Sequence, residues 1–187
     1  MPLYVQNGKL IQKAGALGTS TGCCCRTTTT ICILQQSGNV SGITGSDVVF
    51  NGGGGTYTTL NYFSVNGYWL GRFEGVTGYT QSVTITFTTV KPSKATLRCS
   101  ALSNNIGSRE EKLNYSFTGA TAVAFTSISG AGLTDNGSTV SRAAYPTGAG
   151  DSLFRIIATG EISQIFFEGE MINKGDNGVV VEICVEI

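Results

Sequence analysis

The chain has 187 residues, enough for one domain with a buried core. Its 12 basic and 12 acidic residues cancel, and only 13% of residues are charged, which argues against a nucleic-acid binder that works by neutralising phosphates. With no histidine at all, Ser-His-Asp and Cys-His catalysis and histidine-ligated zinc or copper are excluded.

The opening Leu3-Tyr4-Val5-Gln6, Asn7-Gly8, Lys9-Leu10-Ile11-Gln12 reads as a β-hairpin, because Asn-Gly suits a two-residue turn that needs positive φ twice. The stretch from Met1 to Lys9 lacks a basic region followed by an apolar run, so it is not expected to be a secretory signal. Residues 14–30 are small, glycine-rich and hydroxylated, with Cys23-Cys24-Cys25 in the middle. They offer nothing to fill a core and read as an extended arm. Ile31 to Leu34 is either the end of that arm or the first strand beyond it. Asp47-Val48-Val49-Phe50 is a short strand in a turn-rich zone that ends at the four glycines Gly52 to Gly55.

From Tyr57 onward strands follow at regular spacing. Val83, Ile85 and Phe87 alternate with Thr84, Thr86 and Thr88, the period of a half-buried strand. Residues 95–102 alternate too. Further strands are expected at 113–117, 122–126, 153–158, 164–171 and 179–187, with Asn136-Gly137 and Asn177-Gly178 as turns. Ser103 to Lys112 is the one candidate for a short helix. No apolar run of about 18 residues exists to cross a membrane as a helix. The expected fold is an all-β antiparallel sandwich or jelly roll of roughly eight strands, with a hairpin and arm at 1–34 and the sandwich at 35–187.

Few residues suggest chemistry. Three adjacent cysteines cannot all ligate one ion without backbone strain, so Cys23–Cys25 reads as reduced thiols in a packed seam or as a disulfide site, and less well as zinc. Cys99 and Cys184 sit mid-strand and read as core or subcore residues. Glu168/Glu170 and Glu182/Glu186 each share a face of a strand, and the two strands are expected to neighbour each other through the Asn177-Gly178 turn. They allow a carboxylate pair for glycoside hydrolysis, but the simpler reading is a solvated face behind a core face of Phe167, Met171, Val181 and Ile183. Tyr62, Tyr68 and Trp69 are the candidate platform for stacking a sugar. Asp135-Asn136-Gly137 and Asp176-Asn177-Gly178 are better read as turns than as calcium loops. No cofactor is implied.

The segment Leu3-Tyr4-Val5-Gln6-Asn7-Gly8-Lys9-Leu10-Ile11, followed by Gly18-Thr19-Ser20-Thr21-Gly22-Cys23-Cys24-Cys25, resembles the start of small structural proteins of tailed bacteriophages. The likeness covers about the first 25 residues; beyond them the chain is similar to decoration proteins and fibre heads only in general character. It implies a non-enzymatic virion protein made in the host cytoplasm, often a homotrimer, that contacts other virion proteins, the major capsid protein first, and neither nucleic acid nor membrane. Leu3, Val5, Leu10, Ile11, Leu17 and Cys23–Cys25 would then line the assembly arm. The alternatives are a tail or tail-fibre component, a carbohydrate-binding or receptor module, and a small hydrolase using paired carboxylates.

Overall fold

A computed structural model describes residues 3–6, 9–12, 28–35, 37–52, 61–62, 65–71, 79–102, 104–105, 109–143, 152–173 and 178–187. Every regular element among them is a strand. In chain order they are β1 (Leu3–Gln6), β2 (Lys9–Gln12), β3 (Thr30–Ile33), β4 (Ser37–Gly38), β5 (Ser46–Gly52), β6 (Asn61–Tyr62), β7 (Val65–Asn66) and β8 (Tyr68–Gly71). Then come β9 (Tyr79–Phe87), β10 (Lys94–Ser100), β11 (Asn104–Asn105), β12 (Arg109–Ser129), β13 (Leu133–Asp135), β14 (Thr139–Arg142), β15 (Leu153–Asn173) and β16 (Gly178–Glu186). The expected all-β antiparallel class is what the chain adopts.

β1 and β2 pair as a hairpin whose innermost partners are Gln6 and Lys9, which leaves Asn7-Gly8 as a two-residue connection. Asn7 and Gly8 themselves lie outside the described residues. β6 and β7 form a second small pair. The other twelve strands make one antiparallel sheet.

Two strands of 21 residues, β12 and β15, run side by side and organise that sheet. The sequence pattern divides each into two separate strands, a division the structure overturns. β15 changes its second neighbour halfway: residues 153–159 pair with β10, and residues 164–171 pair with β9. Between these halves the β12–β15 register slips twice, around Ala120. Such bulges bend a strand and raise its twist. Gly119 has φ +88° and Gly160 has φ +136°, both in the region that favours glycine. A Cβ on Gly160 would lie 2.7 Å from the Gly119 carbonyl oxygen, and one on Gly119 would strike the Glu161 carbonyl. The β9–β10 connection turns at the same corner: the carbonyls of Ser93 and Pro92 accept hydrogen bonds from the amides of Gly160 and Ile162.

The bend curls the sheet so that its inner faces close on each other, in a sandwich-like way. Inward residues of one half include Leu97, Phe154, Ile156, Val181 and Ile183; those of the other include Val83, Ile85, Phe87, Leu113 and Phe167. All belong to one buried cluster. Each large side chain so buried is worth about 1.5–3 kcal/mol relative to exposure. The alternation expected at 83–87, and the core face expected from Phe167, Met171, Val181 and Ile183, are both present.

Two further expectations fail. Asn104–Asn105 pairs antiparallel with Arg109–Glu110, so the described residues of 103–112 are paired strands and not a short helix, while Ser103 and residues 106–108 lie outside the described residues; cross-strand pairing outweighs the helix propensity of the charged run. β15 and β16 are not neighbours either. β10 lies between β16 and the first half of β15, and the second half of β15 pairs with β9.

Candidate assembly surface

Residues 30–33, at the end of the range expected to be an arm, are the edge strand β3, paired with β16 in the main sheet. Ile31 and Ile33 turn toward the core, so Cys32 turns outward. On β16, Ile183 and Val185 are buried, so Cys184 turns outward as well. The two cysteines are register partners. Thr29 and Ile187 exchange both amide hydrogen bonds, at 3.1 and 3.0 Å. Counting back from them by the antiparallel alternation makes Cys32–Cys184 a non-hydrogen-bonded pair, the kind in which side chains approach most closely. The two form a disulfide spanning 152 residues of sequence.

This corrects the reading of Cys184 as a plain core or subcore residue. Position within a strand says nothing about face; parity does, and parity places Cys184 outside. Cys99, by contrast, is free and fully buried. Burial first, and then the Glu182 charge, push its thiol well above the usual range, which leaves it protonated and unreactive.

Ion pairs flank the disulfide on the outer face. Lys94 Nζ lies 2.6 Å from Glu186 Oε1, and Arg98 Nη1 lies 3.2 Å from Glu182 Oε2. Both pairs join β10 to β16 in direct register. Being partly exposed, each contributes about 0–1 kcal/mol. Their chief effect is to set the charge pattern around the disulfide.

The carboxylates considered for catalysis are thus separated. Glu182 and Glu186 are engaged by Arg98 and Lys94. Glu168 and Glu170 both accept from Asn114 Nδ2, at 3.1 and 3.3 Å, and Asn114 Oδ1 accepts from the Thr139 hydroxyl. The four do not converge on one cleft.

The glycan platform loses a member. Tyr68 has no exposed surface. Its ring packs edge-on against Phe167, with centroids 5.5 Å apart. Its hydroxyl donates to the Gln35 carbonyl at 2.7 Å and accepts from the Gln35 amide at 3.2 Å. Burial raises its pKa, with the Gln35 backbone bond acting the other way. A ring held like this cannot stack on a sugar. The side chains of Tyr62 and Trp69 lie outside the described residues, although both backbones are in strands.

At Asp135-Asn136-Gly137 the turn reading holds. Asn136 Oδ1 accepts from the amides of Ser138 and Thr139. Asp135 Oδ1 accepts from the Tyr115 hydroxyl at 2.8 Å and from the Gly137 amide at 3.1 Å. These oxygens face protein donors. Asp176 and Asn177 lie outside the described residues. Among the described residues no three metal-ligating side chains cluster. An open depression of about 550 Å³ sits at the corner, lined by Thr89, Lys91, Ser93, Thr121, Gly160 and Glu161.

Of the expected arm residues, Leu3, Val5, Leu10 and Ile11 have backbones in the β1–β2 hairpin, and their side chains lie outside the described residues. Leu17 and Cys23–Cys25 lie outside them altogether. Sequence reasoning missed the pairing of Cys32 with Cys184, for which the shared outward parity was the available signal.

No family model matches the chain, and no curated protein and no solved structure matches it either.

Proposed function

We propose that this chain is a non-enzymatic structural protein of a tailed-bacteriophage virion, a capsid decoration protein whose residues 1–34 engage a neighbouring shell subunit while a jelly-roll-like domain projects outward. The observation that carries the reading is the covalent tie between β3 and β16. It ties the N-terminal segment to β16, which pairs with β10 along residues 180–186. An assembly arm needs such an anchor, because an arm that frays from its own body transfers no binding energy to it. An outward-facing disulfide also suits an oxidising setting such as a virion surface.

The test is deletion of residues 1–25, which spares β3 and Cys32. The truncated protein should keep its β-sheet circular dichroism and cooperative melting yet fail to bind capsids assembled without it. Full binding by the truncated protein would refute the arm. A tail component would use the same anchored arm, and binding to purified tails instead of capsids would select that reading. The carbohydrate-binding alternative is weakened by the burial of Tyr68.

A further inference from the structure

Among the described residues, the second half of β12 leaves one side of the sheet open. β15 covers one edge of β12 along nearly its whole length, but on the other edge β14 reaches only residues 112–114 and β11 only residues 109–110. Tyr115 still donates to the Ser138 carbonyl. Beyond it, among the described residues, nothing pairs with the outer edge of residues 116–129. Alternate residues of a strand direct their N–H and C=O groups to each edge, so this stretch presents a row of donors and acceptors ready to pair with another strand.

Proteins usually blunt such an edge by keeping it short, charged or interrupted by proline. Several other outer strands among the described residues are short: β3 has four residues, β4 two and β13 three. The β12 edge is long, and residues 113–134 contain no charge and no proline. Its central run, Ala122 to Thr126, pairs with β15 without a register break. Val123 and Phe125 are register partners of the buried Ala158 and Ile156, so they lie on the sheet's core face. Yet Val123 is 44% exposed and Phe125 only partly buried. Among the described residues the core face is thus only partly covered where the edge is open.

We propose that this edge pairs antiparallel with the same edge of a second copy, about a two-fold axis through Ala124. A two-fold perpendicular to the sheet keeps both core faces on one side, so inward residues must meet inward residues. Centring on Ala124 sets Val123 against the partner copy's Phe125, and Phe125 against the partner's Val123. The partly covered apolar groups then cover one another twice. On the outer face Ala122 meets Thr126, and the small Ala124 meets itself. No charge opposes a like charge, and the chain's zero net charge adds no long-range repulsion. This two-fold pair is distinct from the trimer expected of decoration proteins and does not depend on the N-terminal arm.

The test compares the full-length chain with Ala124→Lys by sedimentation velocity across the micromolar to submillimolar range. Ala124 is exposed, so the variant should fold, and a thermal melt checks this. The parent chain should reversibly form dimers. Ala124→Lys sets two like charges opposite each other and should weaken dimerisation by about tenfold or more. An independent variant, Ala124→Cys, should give a disulfide-linked dimer on mild oxidation faster than the parent chain does with its own cysteines. A parent chain that stays monomeric, or a dimer unaffected by Ala124→Lys, would overturn the proposal. So would a dimer lost on deletion of residues 1–25 and kept by Ala124→Lys, which would assign the contact to the arm. An Ala124→Cys chain that cross-links no faster than the parent would overturn the register.

Discussion

Gly119 and Gly160 occupy facing strands at the place where both bend, and the carbonyl oxygen of Gly119 fills the space a side chain on Gly160 would need. The corner is therefore a backbone-on-backbone contact. Gly119→Ala should cost about 2 kcal/mol or more through strained φ and a clash with the Glu161 carbonyl, lowering Tm by about 4 °C or more. Gly137 supplies the comparison. It has φ +91° but nothing within 4 Å of its absent Cβ, so Gly137→Ala should cost about 1 kcal/mol, from backbone strain alone. Thermal denaturation of the two variants measures the difference.

The disulfide should contribute to stability through the long loop it closes. Replacing Cys32 and Cys184 together by serine should lower stability by about 2–4 kcal/mol, or roughly 5–15 °C in Tm for a chain of this size. Both positions face outward, so serine leaves no buried hydroxyl. A reductant should shift the Tm of the parent chain by a similar amount and that of the double variant hardly at all.

Alkaline pH should loosen the fold. Tyr68 and Cys99 are held above their ordinary values of 10.0 and 9.0 by burial, and Tyr115 above 10.0 by burial together with its bond to Asp135. The folded state keeps protons that the unfolded chain releases. Their stabilisation is complete below about pH 9 and is lost as pH rises through the unfolded pKa values toward the folded ones. Tm measured from pH 8 to 11 should be level at first and then fall. Tyr115→Phe should flatten part of that fall; an unchanged slope would mean that Tyr115 does not contribute.

Tyr68→Phe should cost about 1–2 kcal/mol, because the Gln35 carbonyl and amide lose their shared partner. The same variant should leave any glycan binding unchanged, since the ring is enclosed. A glycan-array signal lost in Tyr68→Phe, with the fold intact, would count against the placement of this ring.

The sequence carried the strand faces well. Val83, Ile85 and Phe87 declare their side of the sheet by alternation, and Asn7-Gly8 and Asn136-Gly137 declare their turns. It was silent where one strand serves two neighbours. Gly119 and Gly160 look like turn residues, and only the tertiary fold shows that the chain bends there without reversing. The charged run at 109–112 looked helical until its partner strand was known. For the candidate surface, the parity of Cys32 and Cys184 was legible. Their adjacency was not, since no local pattern links residues 152 positions apart. The open edge of β12 was equally hidden, because an unpaired edge is defined by what fails to lie beside it.

The Cys32–Cys184 bond also decides how the molecule would respond to being pulled. It turns residues 32–184 into a covalent ring, so tension applied between the first and last residues passes through the sulfurs and bypasses the sheet. Only the 31 residues before the ring and the three after it can lengthen, to a contour of about 120 Å at roughly 3.5 Å per residue. Without the bond the whole chain could unravel, to about 650 Å. A tether held this way yields at its attachment before its body unfolds.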